Sequence, residues 1–305
     1  MVKIEKLVYG LYPRSERLRI KIGRWERKRD TFDSLLEEIS REKKEHYALN
    51  IERNRIDHFT DPLSNWNDIY RPIVLASDGM TLGPLRRYRE TNTFYRLPEI
   101  RGKLKLKEDL PIDLPLDGTM ELPMYQDPGL GDYFAFLPSP ISFNRMSDHG
   151  SYETDEIIDG IVGIYNSILE KLGLDRILLY EATGYQEGDT LSSIENLLQG
   201  RKVILVSTGA ISESVFRGLR YEFQSVVVPD PSSFGLSASH SRVAGVGLSN
   251  AFSTSLSSEE KAADTAIRLS ERHGVSRCIV THNDYMDFLP RGIADRKLMA
   301  LSGEA

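Results

Sequence analysis

Short apolar runs alternate with amphipathic stretches eight times along the chain. The runs are Leu7–Gly10, Ile56–Thr60, Tyr133–Leu137, Arg176–Glu181, Lys202–Ser207, Ser225–Pro229, Gly245–Ser249 and Arg277–Thr281. Several are continuously apolar and β-branched, as in Val203-Ile204-Leu205-Val206 and Val226-Val227-Val228. Strands covered on both faces read this way. Between them the period turns helical. Leu35, Leu36, Ile39 and Tyr47 predict a long first helix with Glu and Lys on its other face. Ile157, Ile158, Ile161, Ile164, Ile168, Leu169 and Leu172 predict another, stopped by Gly173. Ala262, Ala266, Ile267 and Leu269 predict a third, opened by Ser257 or Ser258. Eight βα units predict an α/β fold, a single (β/α)8 TIM barrel over residues 1–305.

Residues 61–132 break the alternation and are too long for one loop. They hold Pro111, Pro115, Gly118, Pro123, Pro128 and Gly129–Gly131, and the alternating run Arg101–Leu106 predicts an added hairpin. The segment reads as an insertion after the second strand, lying over the barrel mouth. A separate small domain is the alternative.

A chain of 305 residues, 40% hydrophobic and 28% charged, has the apolar surface for one large core. Its net charge of -6 argues against a general nucleic-acid binder, whose affinity comes from neutralising phosphates. Residues 14–29 nevertheless gather Arg14, Arg17, Arg19, Lys21, Arg24, Arg27, Lys28 and Arg29. This run is either a solvated face or a landing site for an acidic ligand or partner. No apolar run reaches membrane-helix length, and the amino terminus reads without a secretory leader. The lone Cys278 cannot form an internal disulfide, which predicts a reducing cytoplasm.

Chemistry-bearing residues are densest between Ile56 and Ile100. Acids, arginines and aromatic rings alternate there with only short apolar runs, the mixture used to hold carboxylates and flat rings. Asp61, Trp66, Asp68, Ile69, Arg71 and Pro72 come first. Gly83-Pro84-Leu85 with Arg87-Tyr88 follow, then Thr91-Asn92-Thr93-Phe94-Tyr95-Arg96 with Pro98. Together these residues resemble the cobalamin-independent methionine synthase family, most closely its amino-terminal barrel. Gly10-Leu11-Tyr12-Pro13-Arg14 is similar to the family's opening turn. Phe288-Leu289-Pro290-Arg291, with Ala294, Lys297 and Leu298, is similar to its closing helix.

The resemblance implies methyl transfer from a polyglutamylated methylfolate to homocysteine, whose thiol is activated by zinc. It places a His-x-Cys pair after the fifth strand, a glutamate after the sixth and a cysteine after the eighth. Here Ser207-Thr208-Gly209, Pro229-Asp230 and Asn283-Asp284 stand at those positions, and Cys278 lies inside the eighth strand. Leu11, Asp61-Pro62-Leu63 and Tyr180-Glu181-Ala182 also depart from the family's amino-acid pocket. These departures imply no catalytic residue and no metal ligand in this chain, with zinc on a partner. Asp61, Glu181, Asp230, His282 and Asp284 read as polar residues at the barrel mouth. A hard metal site built from Asp230, His282 and Asp284 is the alternative. Arg14, Arg17 and Arg19 stand where the family's basic residues hold the glutamate tail. Trp66 and Tyr88 either stack on a pterin or cap the core.

The reading is an accessory subunit in methionine biosynthesis. It binds the tail of methyltetrahydrofolate polyglutamate and pairs with a separately encoded zinc-bearing catalytic barrel, with no nucleic-acid or membrane partner. A self-sufficient methyltransferase and a non-enzymatic small-molecule-binding barrel are the alternatives.

Overall fold

Parallel pairing closes the apolar runs into a barrel. The computed structural model describes residues 2–89, 91–108, 132–186, 188–189 and 191–301. Its strands are β1 (Lys3–Val8), β2 (His58–Phe59), β3 (Ser77–Arg87), β4 (Phe94–Leu106), β5 (Asp132–Tyr133) and β6 (Ala135–Pro138). They continue as β7 (Arg176–Glu181), β8 (Lys202–Ser207), β9 (Ser225–Val228), β10 (Ala244–Ser249) and β11 (Arg277–His282). One sheet runs β5-β2-β1-β11-β10-β9-β8-β7-β6. β5 and β6 are two halves of one run. The first pairs with β2 through His58↔Asp132, and the second with β7 through Ala135↔Ile177. At the seam the Phe134 N–H donates to the Phe59 carbonyl at 2.9 Å. The sheet thus closes on itself as an eight-position barrel.

Strand one begins at Lys3 rather than Leu7, because Lys3 to Lys6 pair with Arg277 to Val280 despite their polar alternation. Ile177, Leu178, Leu179, Val203, Ile204 and Leu205 have no exposed surface, as strands covered on both faces require. The Phe32–His46 helix opens on Thr31, which accepts from the Ser34 N–H, and continues into a π turn at Tyr47–Glu52. The Thr154–Leu172 helix buries its predicted stripe and ends at Gly173, φ 64°. The Ala262–His273 helix has no serine cap. A 3-10 turn at Glu259–Lys261 precedes it, and the Ser258 hydroxyl donates to the Glu259 carboxylate instead. A further helix, Glu16–Glu26, lies within the basic run, capped by Ser15. Only Leu18 of that helix is buried, so its apolar period is too weak to read.

The insertion forms a twisted antiparallel ribbon, β3 on β4, from Ser77↔Leu106 to Arg87↔Phe94. Arg101–Leu106 is only one half of β4, not a hairpin of its own. The register slips between Asp78 and Met80, where Gly79 takes φ 81°. A Cβ there would meet the Lys103 carbonyl carbon at 2.7 Å. Pro111, Pro115, Gly118, Pro123, Pro128 and Gly129–Gly131 lie outside the described residues.

Two buried ion pairs tie helices to the barrel. Lys43 meets Asp61 at 2.8 Å, and Lys297 meets Glu259 at 2.7 Å with neither side chain exposed. The desolvation cost of such charges is met only by close pairing and further hydrogen bonds. Lys297 also donates to the Ser255 carbonyl at 2.6 Å, and Glu259 accepts from Ser249 at 2.6 Å.

Candidate functional site

The carboxyl ends of β1, β7 and β11 meet in a buried aromatic and polar network. His282, at the end of β11, stacks on Tyr9 with ring centroids 4.1 Å apart. Its Nδ1–H donates to the Asp284 carbonyl at 2.5 Å, and its Nε2 accepts the Tyr9 N–H at 3.3 Å. Burial lowers its pKa to about 4. The imidazole is therefore neutral, with each ring nitrogen held by backbone. Neither nitrogen is left free to ligate a metal.

Asp284 is fully buried. Its carboxylate accepts from the Tyr180 hydroxyl at 2.5 Å, the Tyr285 N–H at 2.8 Å and Arg89 Nη1 at 2.7 Å. Burial raises its pKa, while Tyr180 and Arg89 oppose that shift. Arg89 comes from the ribbon tip in a left-handed conformation, φ 52°, and also donates to Thr208 after β8 at 3.0 Å. Its neighbour Tyr88 lies with its hydroxyl 3.2 Å from that of Tyr180. Tyr88 and Arg89 thus bring the ribbon against the strand ends. A cleft of about 610 Å³ opens beside Arg89, lined also by Thr91, Asn92, Thr93, Phe252, Asp287 and Phe288. Phe252 stacks on Phe288, and Phe288 on Tyr285, an aromatic column from floor to rim. Asp287 is exposed at its surface yet has protein on most sides. That surrounding raises its carboxyl to about 6, against the pull of Arg14 and Arg19.

The remaining residues singled out from sequence divide sharply. Glu181 is buried beside Ser142 and Thr183, both of which donate to it. Burial raises its pKa. Asp61 is buried against Lys43, and its other oxygen accepts the Leu63 N–H at 2.6 Å. Asp230 is exposed and caps its own turn by accepting from the Ser232 N–H at 2.8 Å. The expected alternative metal set of Asp230, His282 and Asp284 therefore does not assemble. No cluster of three or more His, Cys, Asp or Glu able to hold a metal occurs among the described residues. Cys278 is buried in β11, where burial pushes its thiol up to about 12. A zinc–thiolate centre does not fit this donor set.

Arg14 donates to the backbone carbonyls of Ser64 and Trp66. Arg17 is taken up by Glu38 and Glu45 of the next helix. Arg19 is exposed and donates to the Arg14 carbonyl at 3.0 Å. Trp66 and Tyr88 are each 2% exposed, Trp66 edge-on to Phe136 at 6.2 Å. Both cap the core.

The chain matches the structure of a B12-independent methionine synthase from Shewanella sp. W3-18-1 in complex with selenomethionine. The TM-score is 0.72 at 13% identity, over 98% of this chain and 96% of that one. The fold is that of the cobalamin-independent methionine synthase structures. A Listeria monocytogenes protein assigned as a vitamin-B12-independent methionine synthase matches with TM-score 0.66 and 13% identity, over 97% of this chain and 96% of that one. No protein-family model and no curated protein matches the sequence. Within the methionine synthase fold, the residues that sequence reasoning missed are Arg89, Tyr285, Asp287 and Phe252. Arg89 alone left a trace, as the last of three arginines in Arg86-Arg87-Tyr88-Arg89. Among the described residues no helix is long and apolar enough to cross a membrane.

Proposed function

We propose that this chain is the folate-facing, zinc-free barrel of a two-protein methionine synthase. The observation that carries the reading is the donor set at the strand ends. Thiol activation at neutral pH calls for soft ligands around an open metal position. Here a neutral, doubly bonded His282 and an Asp284 paired with Arg89 stand instead. The zinc and the homocysteine then belong to a separately encoded barrel. The methylfolate enters the cleft beside Arg89, its ring against Phe252 and Phe288. Its glutamate tail runs toward Arg19, which is exposed and acts electrostatically on Asp287 in the cleft. Arg14 shapes that rim through its backbone contacts. Arg17, already paired, adds only field.

The test is co-purification with a zinc-bearing methionine synthase barrel, followed by methyl transfer with and without this chain. Turnover should need both proteins, and folate affinity should rise with tail length in a manner lost in Arg19→Ala. Stoichiometric zinc on this chain with turnover unaided would overturn the reading. The Tyr88 and Arg89 closure favours one second reading, a binding barrel with no catalytic partner. Folate binding that no partner barrel influences would select it.

A further inference from the structure

A second cavity, of about 100 Å³, lies between the Glu16–Glu26 helix, the Phe32–His46 helix and residues 65–75. Its walls include Trp25, Phe32, Leu36, Ile39, Trp66 and Pro72. One donor of a wall residue is buried without a partner, and a second side chain on the wall makes no hydrogen bond. The Trp66 Nε1–H is buried with no acceptor. The Arg71 guanidinium is half-buried at the edge of the cavity; it makes no hydrogen bond or ion pair among the described residues and acts only electrostatically on Asp68, to which its backbone N–H donates. Asp68 itself is taken up by the N–H groups of Tyr70, Arg71 and Arg96. An unmet donor beside an apolar wall calls for an acceptor.

We propose that this cavity binds a single-ring aromatic carboxylate. The ring lies against Trp25, Phe32 and Trp66, and the carboxylate meets the Arg71 guanidinium, with the Trp66 N–H as the second donor. Size limits the ligand to one ring: an enclosed apolar cavity of about 150 Å³ takes up benzene, and this one, at about 100 Å³, is smaller but open on one side, so the ring enters and the carboxylate stays at the mouth. Charge favours an anion. Arg27, Lys28 and Arg29 are exposed just beyond the Glu16–Glu26 helix. The exposed Glu26, which also lines the cavity, is outnumbered. The last part of the basic run, Arg27 to Arg29, thereby gains a role as a landing site that does not draw on the folate reading.

Phenylacetate is the probe. Both tryptophans of the chain line the cavity, so their indole N–H signals in a ¹H–¹⁵N spectrum report on it directly. Phenylacetate should shift both signals saturably, with a dissociation constant on the order of 1 mM. Benzyl alcohol, with the same ring and no charge, should bind roughly tenfold more weakly. Arg71→Met should weaken phenylacetate by roughly tenfold and leave benzyl alcohol unchanged, which also reports that the variant is folded. Equal affinity of the wild-type chain for acid and alcohol would overturn the proposal. So would the absence of saturation, or an Arg71→Met variant that binds the acid as well as the wild type.

Discussion

Arg89 Nη1 lies 2.7 Å from the Asp284 carboxylate, joining residues 195 positions apart and holding the ribbon tip to the barrel mouth. Asp284 is fully buried, so truncating its partner leaves a charge without compensation. Arg89→Ala should destabilise the fold by about 1–3 kcal/mol, the arginine being partly solvated. Adding Asp284→Asn should recover part of that loss. A double-mutant cycle by urea denaturation gives the coupling directly, and additive effects would show that the contact contributes nothing.

The Lys297–Glu259 pair offers a sharper contrast, because neither side chain is exposed. Lys297→Met should cost about 3–5 kcal/mol by stranding the glutamate. Lys297→Met combined with Glu259→Gln should return most of it. A double variant no better than the single one would mean that packing of the lysine stem, not charge, is the main loss.

Acid should weaken this protein in two overlapping windows. Burial lowers His46 to about 3 and His282 to about 4, from an ordinary value of 6.5. As pH falls below 6.5 the unfolded chain takes up these protons and the folded chain does not. Stability therefore drops through that window, by about 1.4 kcal/mol per pH unit for each histidine. Glu5 works in the same direction over a lower window. Hydrogen bonding from His58, with Arg277 and Lys3, holds it at about 2, so its stabilisation is full above 4.5 and is lost as pH falls toward 2. Unfolding free energies at pH 7, 6 and 5 should decline, and His46→Gln should flatten the slope. A constant value between pH 7 and 5 would contradict the burial of both imidazoles.

How much of this could be read from the chain depends on how local each cause is. Val203–Val206 announce a strand covered on both faces, and Ile157 to Leu172 with Gly173 announce a helix and its stop, because period and cap are local. The split of the third strand at Phe134 was illegible, since it follows from closure against β2 and β7 together. The arginines were legible as charge but not as partners. Arg17 is neutralised by Glu38 and Glu45 from the following helix, and Arg89 finds Asp284 only once the barrel has closed. Asp230 misled for the opposite reason. Its Asp-Pro-Ser run is a local cap, and the carboxylate satisfies its own turn rather than the barrel mouth.

The ribbon can be loosened without touching the barrel. Gly79 sits at φ 81° opposite the Lys103 carbonyl, so Gly79→Ala combines a disfavoured backbone region with a collision against main chain that has little room to yield. The strain should amount to about 2–3 kcal/mol, placed almost wholly on the pairing of β3 with β4. Amide exchange should quicken throughout β3 and β4 and at Tyr88 and Arg89 between them, while β7, β8 and β11 stay protected, because their hydrogen bonds belong to a separate sheet. If exchange in the barrel strands rises in step with the ribbon, the two fold as one unit and the closure over the mouth cannot open independently.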